Sequence, residues 1–454
     1  MLPFVYKEKL FYYTPVSRTF SPFISSSVNV GVHQAAPETQ KCLNSKKQLT
    51  NMLQENGKQR RHAFQLPCYK VFKEYLIVLG QYPYQTELSH NIHMTVLSFF
   101  SISVLIPLLL QFAKSIREKD LDSVMECIPI MATLFVSTIK LLNHNINRKE
   151  FQNLFDRMSE QWEVSELNGE THVLNEVIEQ GSKMGTLYRT SLWAFMILFL
   201  SIPLAAPALD LISRTNESRT RMQLFKLNYI VDTEDHFYIV YIHMMCCSLT
   251  TVLVIIAMDS LYMVIFHYIC GVFALCGYQI KKAAEISKSD IEGGTFENGN
   301  KKDLFRRCVM THYEAIKFYD YMNDSTRTSY LFQVGLNMLG ITSTAVQAVM
   351  NFDRPEEAFR IIMFLLGQQF HLYTLSLPGQ VLMDRSFELS NDIYCSKWHE
   401  IPVKFQKVLH IMLIRSSKPC RLSAGGLYEM NIENFGTIFK TCMSYFTILL
   451  SLRE

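Results

Sequence analysis

The chain contains more long apolar runs than a water-soluble core can hide. Stretches at roughly 92–112, 124–142, 190–212, 237–258, 328–350, 358–380 and 433–451 each approach the ~20 helical residues that cross a ~30 Å hydrocarbon layer. A buried helix of a soluble protein explains one such run. Seven of them in 454 residues, 49% hydrophobic and only 19% charged, leave too little polar surface to cover them. The expected fold class is therefore all-α, a polytopic membrane protein with seven transmembrane helices in a lipid bilayer. A net charge of +3 with nearly balanced acids and bases lacks the basic footprint of a nucleic-acid binder. The eleven cysteines fall mostly inside apolar runs, where a thiol packs as a small hydrophobe.

From Phe237 to Ile280 there is no Lys or Arg and a single acid, Asp259. That length suits either two spans or one helix that leaves the lipid. The semi-polar Tyr262, His267, Tyr268 and Cys270 in its second half fit burial among protein helices, so one long helix is expected. Orientation follows from the connections. With a cytoplasmic N-terminus and an extracellular C-terminus, the inner connections carry more than twice as many Lys and Arg as the outer ones. Asn216-Glu217-Ser218, an N-glycosylation acceptor, then falls outside, as that modification requires. The opposite topology belongs to G-protein-coupled receptors. No Asp-Arg-Tyr follows the third span and no Asn-Pro-x-x-Tyr lies in the seventh. Residues 1–65 are rich in Ser, Thr, Gln and Lys, without the apolar core of a secretory signal, and read as a mobile cytoplasmic tail before a membrane domain at 66–454.

Catalytic chemistry is not indicated. Trp398-His399-Glu400 lacks a second His one turn on, Gly425-Gly426 is not expected to follow a strand, and Cys246 and Cys247 face different sides of a helix. No enzyme, metal or cofactor is expected. The informative residues are the polar ones within spans, because a polar group in hydrocarbon is costly unless it meets a partner or a cavity. His243 and Cys247 in span four, and Gln368, Gln369 and His371 beside Gly367 in span six, belong to that class. Hydrogen bonding between helices is the plainer reading of each. The functional reading is a ligand cavity formed by Met131, Phe135, Phe195, Phe199, Pro203, His243, Met244, Cys247 and Gln368, mostly apolar with a few polar groups. The last span differs. Lys440, Ser444, Thr447 and Ser451 are spaced by four, three and four residues, forming one polar stripe beside apolar Ile448. Such a helix suits the wall of a wet path with a hydrophobic constriction.

The C-terminal third carries a specific ordered pattern. It reads Trp398-His399-Glu400-Ile401-Pro402, then Ile414-Arg415-Ser416-Ser417-Lys418-Pro419, then Ser423-Ala424-Gly425-Gly426-Leu427-Tyr428, ending Ser444-Tyr445-Phe446-Thr447-Ile448-Leu449-Leu450. From about residue 66 to its end the chain resembles the insect odorant receptor family. The resemblance implies spans four to seven extended into a cytoplasmic anchor domain where four subunits meet, including about 259–325 and 384–420. It implies a seventh element split into a helix near 403–414 and a pore helix at 433–451, with Ile448 as hydrophobic gate and Ser451 at the outer mouth. The connection after span two lacks the long insertion of the family's co-receptor, so the chain resembles a tuning subunit that binds a small volatile odorant. Such a subunit opens a non-selective cation channel with the co-receptor, as a heterotetramer in the plasma membrane. The alternatives are a gustatory-type receptor channel or a G-protein-coupled chemoreceptor.

Overall fold

Apolar length becomes helix almost throughout the computed structural model, which describes residues 67–213, 223–229, 235–293 and 298–451. The expected tail at 1–65 and the acceptor Asn216 lie outside the described residues. Among the described residues ten α-helices follow one another: α1 (Pro67–Val78), α2 (Glu87–Glu118), α3 (Leu121–Ile146), α4 (Arg148–Leu167), α5 (Thr171–Ser213), α6 (Phe237–Gly293), α7 (Asn298–Met350), α8 (Pro355–Cys395), α9 (Val403–Ser416) and α10 (Ile432–Ser451). Local chemistry sets several ends. The Asp120 carboxylate accepts from the backbone N–H groups of Asp122 and Ser123 and caps α3, while Pro355 opens α8 where a missing N–H costs nothing.

The outer face of α2 shows why lipid is required. Leu88, Ile92, Val96, Phe99, Ile102 and Ile106 recur at helical spacing, and all are exposed. A stripe of that extent would not be stable against water, whereas hydrocarbon solvates it at no cost. Four helices, α2, α3, α5 and α6, are apolar and long enough to cross a membrane by length and composition. The other three expected spans fall in α7, α8 and α10, and α7 and α8 read as more polar for a structural reason. Their polar residues Gln333, Asn337, Arg360, Gln368 and His371 are all at least nine-tenths buried, turned away from the lipid face.

Helix α6 runs unbroken for 57 residues, about 85 Å at 1.5 Å per residue, so roughly two-thirds of it cannot lie in a ~30 Å hydrocarbon layer. Its first turns expose Tyr238, Ile239 and Ile242. From Val254 to Phe273 every residue is buried, as expected of a segment enclosed by protein rather than lipid. Helix α5 packs along α6, α3 along α7, and α8 against both α6 and α7. Gly425 and Gly426, at φ +65° and +79°, turn the three-residue connection Gly425–Leu427 between β1 (Ser423–Ala424) and β2 (Tyr428–Glu429). This corrects the sequence expectation that no strand precedes this pair: two positive φ values in succession favour glycine and close the turn.

A buried ionic cluster ties the bundle together. The Asp259 carboxylate of α6 accepts from the Lys140 ammonium of α3, from the Tyr188 hydroxyl of α5 at 2.6 Å and from His371 Nε2 of α8 at 3.0 Å. Lys140 also donates to Gln333 Oε1 of α7 at 2.6 Å. Five helices thus meet around one charge pair, with Lys140 and Asp259 at most 2% exposed. Removing one member leaves its partner charged and dry, a loss of about 3–5 kcal/mol, whereas removing both charges is nearly neutral. Lys140→Met is therefore expected to sharply lower the yield of folded protein and its melting temperature in detergent. Lys140→Met combined with Asp259→Asn should recover most of that loss. A single variant as heat-stable as the unmodified protein would show that the cluster does not hold the bundle.

Candidate functional site

A cavity opens between α2, α3, α5, α6, α7 and α8, with about 140 Å³ free for the centres of water-sized molecules. That is roughly ten times the ~10–15 Å³ needed to hold one water. Its wall is built from the inward faces of the spans: Val104, Ile130, Leu192, Val252 and Ile255 supply aliphatic surface, and Phe195, Phe199, Phe225 and Phe364 the rings. Helix periodicity places them there. Phe195 and Phe199 stand one turn apart on α5, and Cys247 and Thr251 one turn apart on α6. Polar groups line more than one side, with Thr133 on α3, Ser248 and Thr251 on α6, and the amides and imidazole of Asn337, Gln368 and His371 on α7 and α8. The Gln368 amide oxygen accepts from Thr344 Oγ1 at 3.1 Å, and His371 belongs to the Asp259 cluster, so the cavity wall and the bundle's central tie share a residue.

A smaller cavity adjoins the first across Ile130, Phe199, Phe225 and Phe364. Its own lining is charged, with Glu126, Lys226 and Arg360. Lys226 pairs with Glu126 at 2.9 Å, and Arg360 donates to the Gln223 and Leu224 carbonyls at 2.9 and 2.6 Å. Phe199 lies 5.6 Å from both Phe225 and Phe364, centroid to centroid, so three rings separate the apolar chamber from a polar vestibule.

Of the nine residues expected to bind ligand, Phe195, Phe199, Cys247 and Gln368 line the larger cavity. Met131, Phe135, Pro203, His243 and Met244 do not. Phe135 is 41% exposed, Met244 is buried among core side chains, Met131 packs against that same core, and Pro203 is buried elsewhere on α5. His243 is committed to other partners, with Nδ1 2.8 Å from the Tyr229 hydroxyl and Nε2 3.0 Å from Ser103 Oγ. Asn337 escaped the reading of the sequence, although Gln333 and Asn337 one turn apart in an apolar span were the available signal.

The α10 stripe is a second feature. Ile438 and Cys442 are buried against the bundle, while Lys440, Ser444, Thr447, Ile448 and Ser451 all stand exposed on the opposite side. The hydroxyls of Ser444, Thr447 and Ser451 donate to carbonyls of their own helix at 2.8–3.0 Å, so among the described residues these hydroxyls take no partner from another element. The start of α10 is held tightly. A Cβ at Gly379 of α8 would sit 1.9 Å from the Met430 carbonyl oxygen, so only glycine permits this approach.

Residues 120–443 match the family model described as 7tm Odorant receptor. Odorant receptor 49a of Drosophila melanogaster is 20% identical over 329 residues, covering 69% of this chain and 77% of that protein. Odorant receptor 47a of the same fly is 21% identical over 370 residues, covering 78% and 91%. The fold is shared with the solved structure of the insect olfactory receptor OR5 from Machilis hrabei in complex with eugenol, at a TM-score of 0.69 and 12% identity over 84% of this chain and 97% of that one.

Gly367 offers a test of the cavity. It lies in the wall, and a Cβ there would meet no atom within 4 Å. Gly367→Leu should fold normally, with a melting temperature equal to or above that of the parent, since a helical glycine costs about 1 kcal/mol. It should also abolish the heat protection conferred by small neutral volatiles in a thermal-shift assay. Undiminished protection would move their binding away from this chamber.

Proposed function

Because the chain belongs to the odorant receptor family, we propose that it is the odour-binding subunit of a ligand-gated cation channel, assembled with the family's co-receptor as a heterotetramer in the plasma membrane. The observation that carries this reading is the mostly apolar cavity between the helices, large enough for a small volatile and lined by a few polar groups that can orient it. The related OR5 of Machilis hrabei is described in complex with eugenol, in keeping with a small organic ligand. In this reading Phe195, Phe199, Cys247 and Gln368 contact the odorant, Asn216 is glycosylated, the N-terminus is cytoplasmic and the C-terminus extracellular, with seven spans between them.

Opening is a shift between two packings of the bundle, and a ligand favours whichever packing it fits better. Helix α8 links cavity to pore. It carries Gln368 and His371 in the cavity wall and, two turns on, Gly379 against Met430 immediately before α10. A displacement of α8 at the cavity is therefore transmitted by direct contact to the start of the pore helix. The stripe of Lys440, Ser444, Thr447 and Ser451 faces the ion path in the assembled channel, and Ile448 narrows it by excluding water.

Two experiments test this assignment in cells expressing the chain with the co-receptor. Ile448→Ser should raise current in the absence of odour at unchanged surface level, while Ser451→Lys should reduce cation current by repulsion at the mouth. Normal surface protein with unchanged basal current, odour-evoked current and ion selectivity in both variants would remove α10 from the pore. For topology, glycosidase treatment should increase gel mobility of the parent chain but not of Asn216→Gln. Persistence of the shift in that variant would reverse the orientation.

A further inference from the structure

From the polar wall of the cavity we infer the chemical class of the ligand: a small neutral molecule with one hydrogen-bond acceptor oxygen, such as a ketone, ester or ether, received by the side-chain amides of Asn337 and Gln368. This deepens the odour-binding reading and rests on it. Three observations support it. No Asp, Glu, Lys or Arg lines the chamber, and the nearby Asp259 is already engaged by Lys140, Tyr188 and His371, so a charged ligand would find no counter-charge there. Thr344 Oγ1, whose one proton also reaches the Gly340 carbonyl at 2.7 Å, lies 3.1 Å from the Gln368 amide oxygen, and the Gln368 amide N–H groups donate to no group among the described residues. Asn337 is 8% exposed, and its Nδ2 has no hydrogen-bond partner.

The two amides are neighbours. A Cβ at Gly340, one turn beyond Asn337 on α7, would lie 3.1 Å from Gln368 Nε2. A buried amide donor without a partner is a standing cost that an incoming acceptor relieves. An apolar molecule of the same shape displaces any water from these groups without replacing its hydrogen bonds, and loses affinity accordingly. The aliphatic and aromatic remainder of the chamber takes the hydrocarbon part of the ligand and supplies most of the binding, while the amides discriminate.

The test uses the full chain with the co-receptor and pairs of ligands matched in shape. Methyl alkyl ketones and methyl esters of graded chain length are compared with isosteres in which C=CH2 replaces C=O, and with the corresponding carboxylates and alkylammonium ions. The expected result is activation by ketones or esters at concentrations about tenfold below those of their isosteres, with the charged analogues silent. In Asn337→Leu that ratio should shrink about threefold to tenfold, the worth of one neutral hydrogen bond. Gln368→Leu is the second variant, with the same expectation, should Asn337→Leu fail to reach the surface. Equal potency of isosteres and ketones, a charged analogue as the best agonist, or an unchanged ratio in the variants that reach the surface would overturn the inference while leaving the chain an odour receptor. No current from any compound at normal surface level would overturn the odour-binding reading itself, and the inference with it.

Discussion

Asp259 is the point on which the bundle depends. In water the hydrophobic effect drives helices together, but helices surrounded by lipid gain little from it and need polar or close-packed contacts for definite neighbours. The Asp259 carboxylate with Lys140, Tyr188, His371 and Gln333 supplies such a contact for five helices at once. A pair of this kind adds less to net stability than to definition, because its desolvation cost offsets much of the attraction. Its value lies in discrimination: a helix rotated by one residue would leave a charge in hydrocarbon. The same cluster extends to the cavity wall through His371, so the geometry of the chamber is set by the tie that sets the bundle.

Around that centre the two functional surfaces are differently constrained. The cavity is lined by six helices that pack on one another and by the segment bearing Phe225. The pore helix α10 touches its own chain mainly through α7 and α8, burying only Ile438 and Cys442. In the proposed reading a single chain thus supplies the wall of the binding chamber, while the polar stripe of α10 is left for neighbouring subunits to line. Gly379 against Met430 connects the two surfaces.

Much of this was readable from residue order. Span lengths, the single long helix from Phe237, the polar stripe of α10 and the odorant receptor pattern near the C-terminus are local properties, and local periodicity records them. The cavity lining was half readable. Phe195, Phe199, Cys247 and Gln368 line it, yet Phe135 and Met131 have the same chemical character and lie elsewhere. In a lipid-facing helix both faces are apolar, so the pattern cannot distinguish the inward ring from the outward one. His243 looked available because its partners Tyr229 and Ser103 are distant in sequence. Lys140 and Asp259 were each visible as a lone charge in an apolar run, but only the fold brings together residues 119 positions apart.

The chamber wall is assembled from side chains scattered between Val104 and His371, none of which lies on the pore helix. In the proposed reading, exchange of one such side chain alters what the molecule perceives without altering what it conducts. A gene duplicate can therefore drift toward a new odour by single substitutions on the inner faces of α5, α6 or α8. Its Asp259 tie, its α10 stripe and its ability to assemble with the same partners are carried along unchanged. An olfactory repertoire built on this architecture diversifies at its inputs while every member continues to speak through the same output.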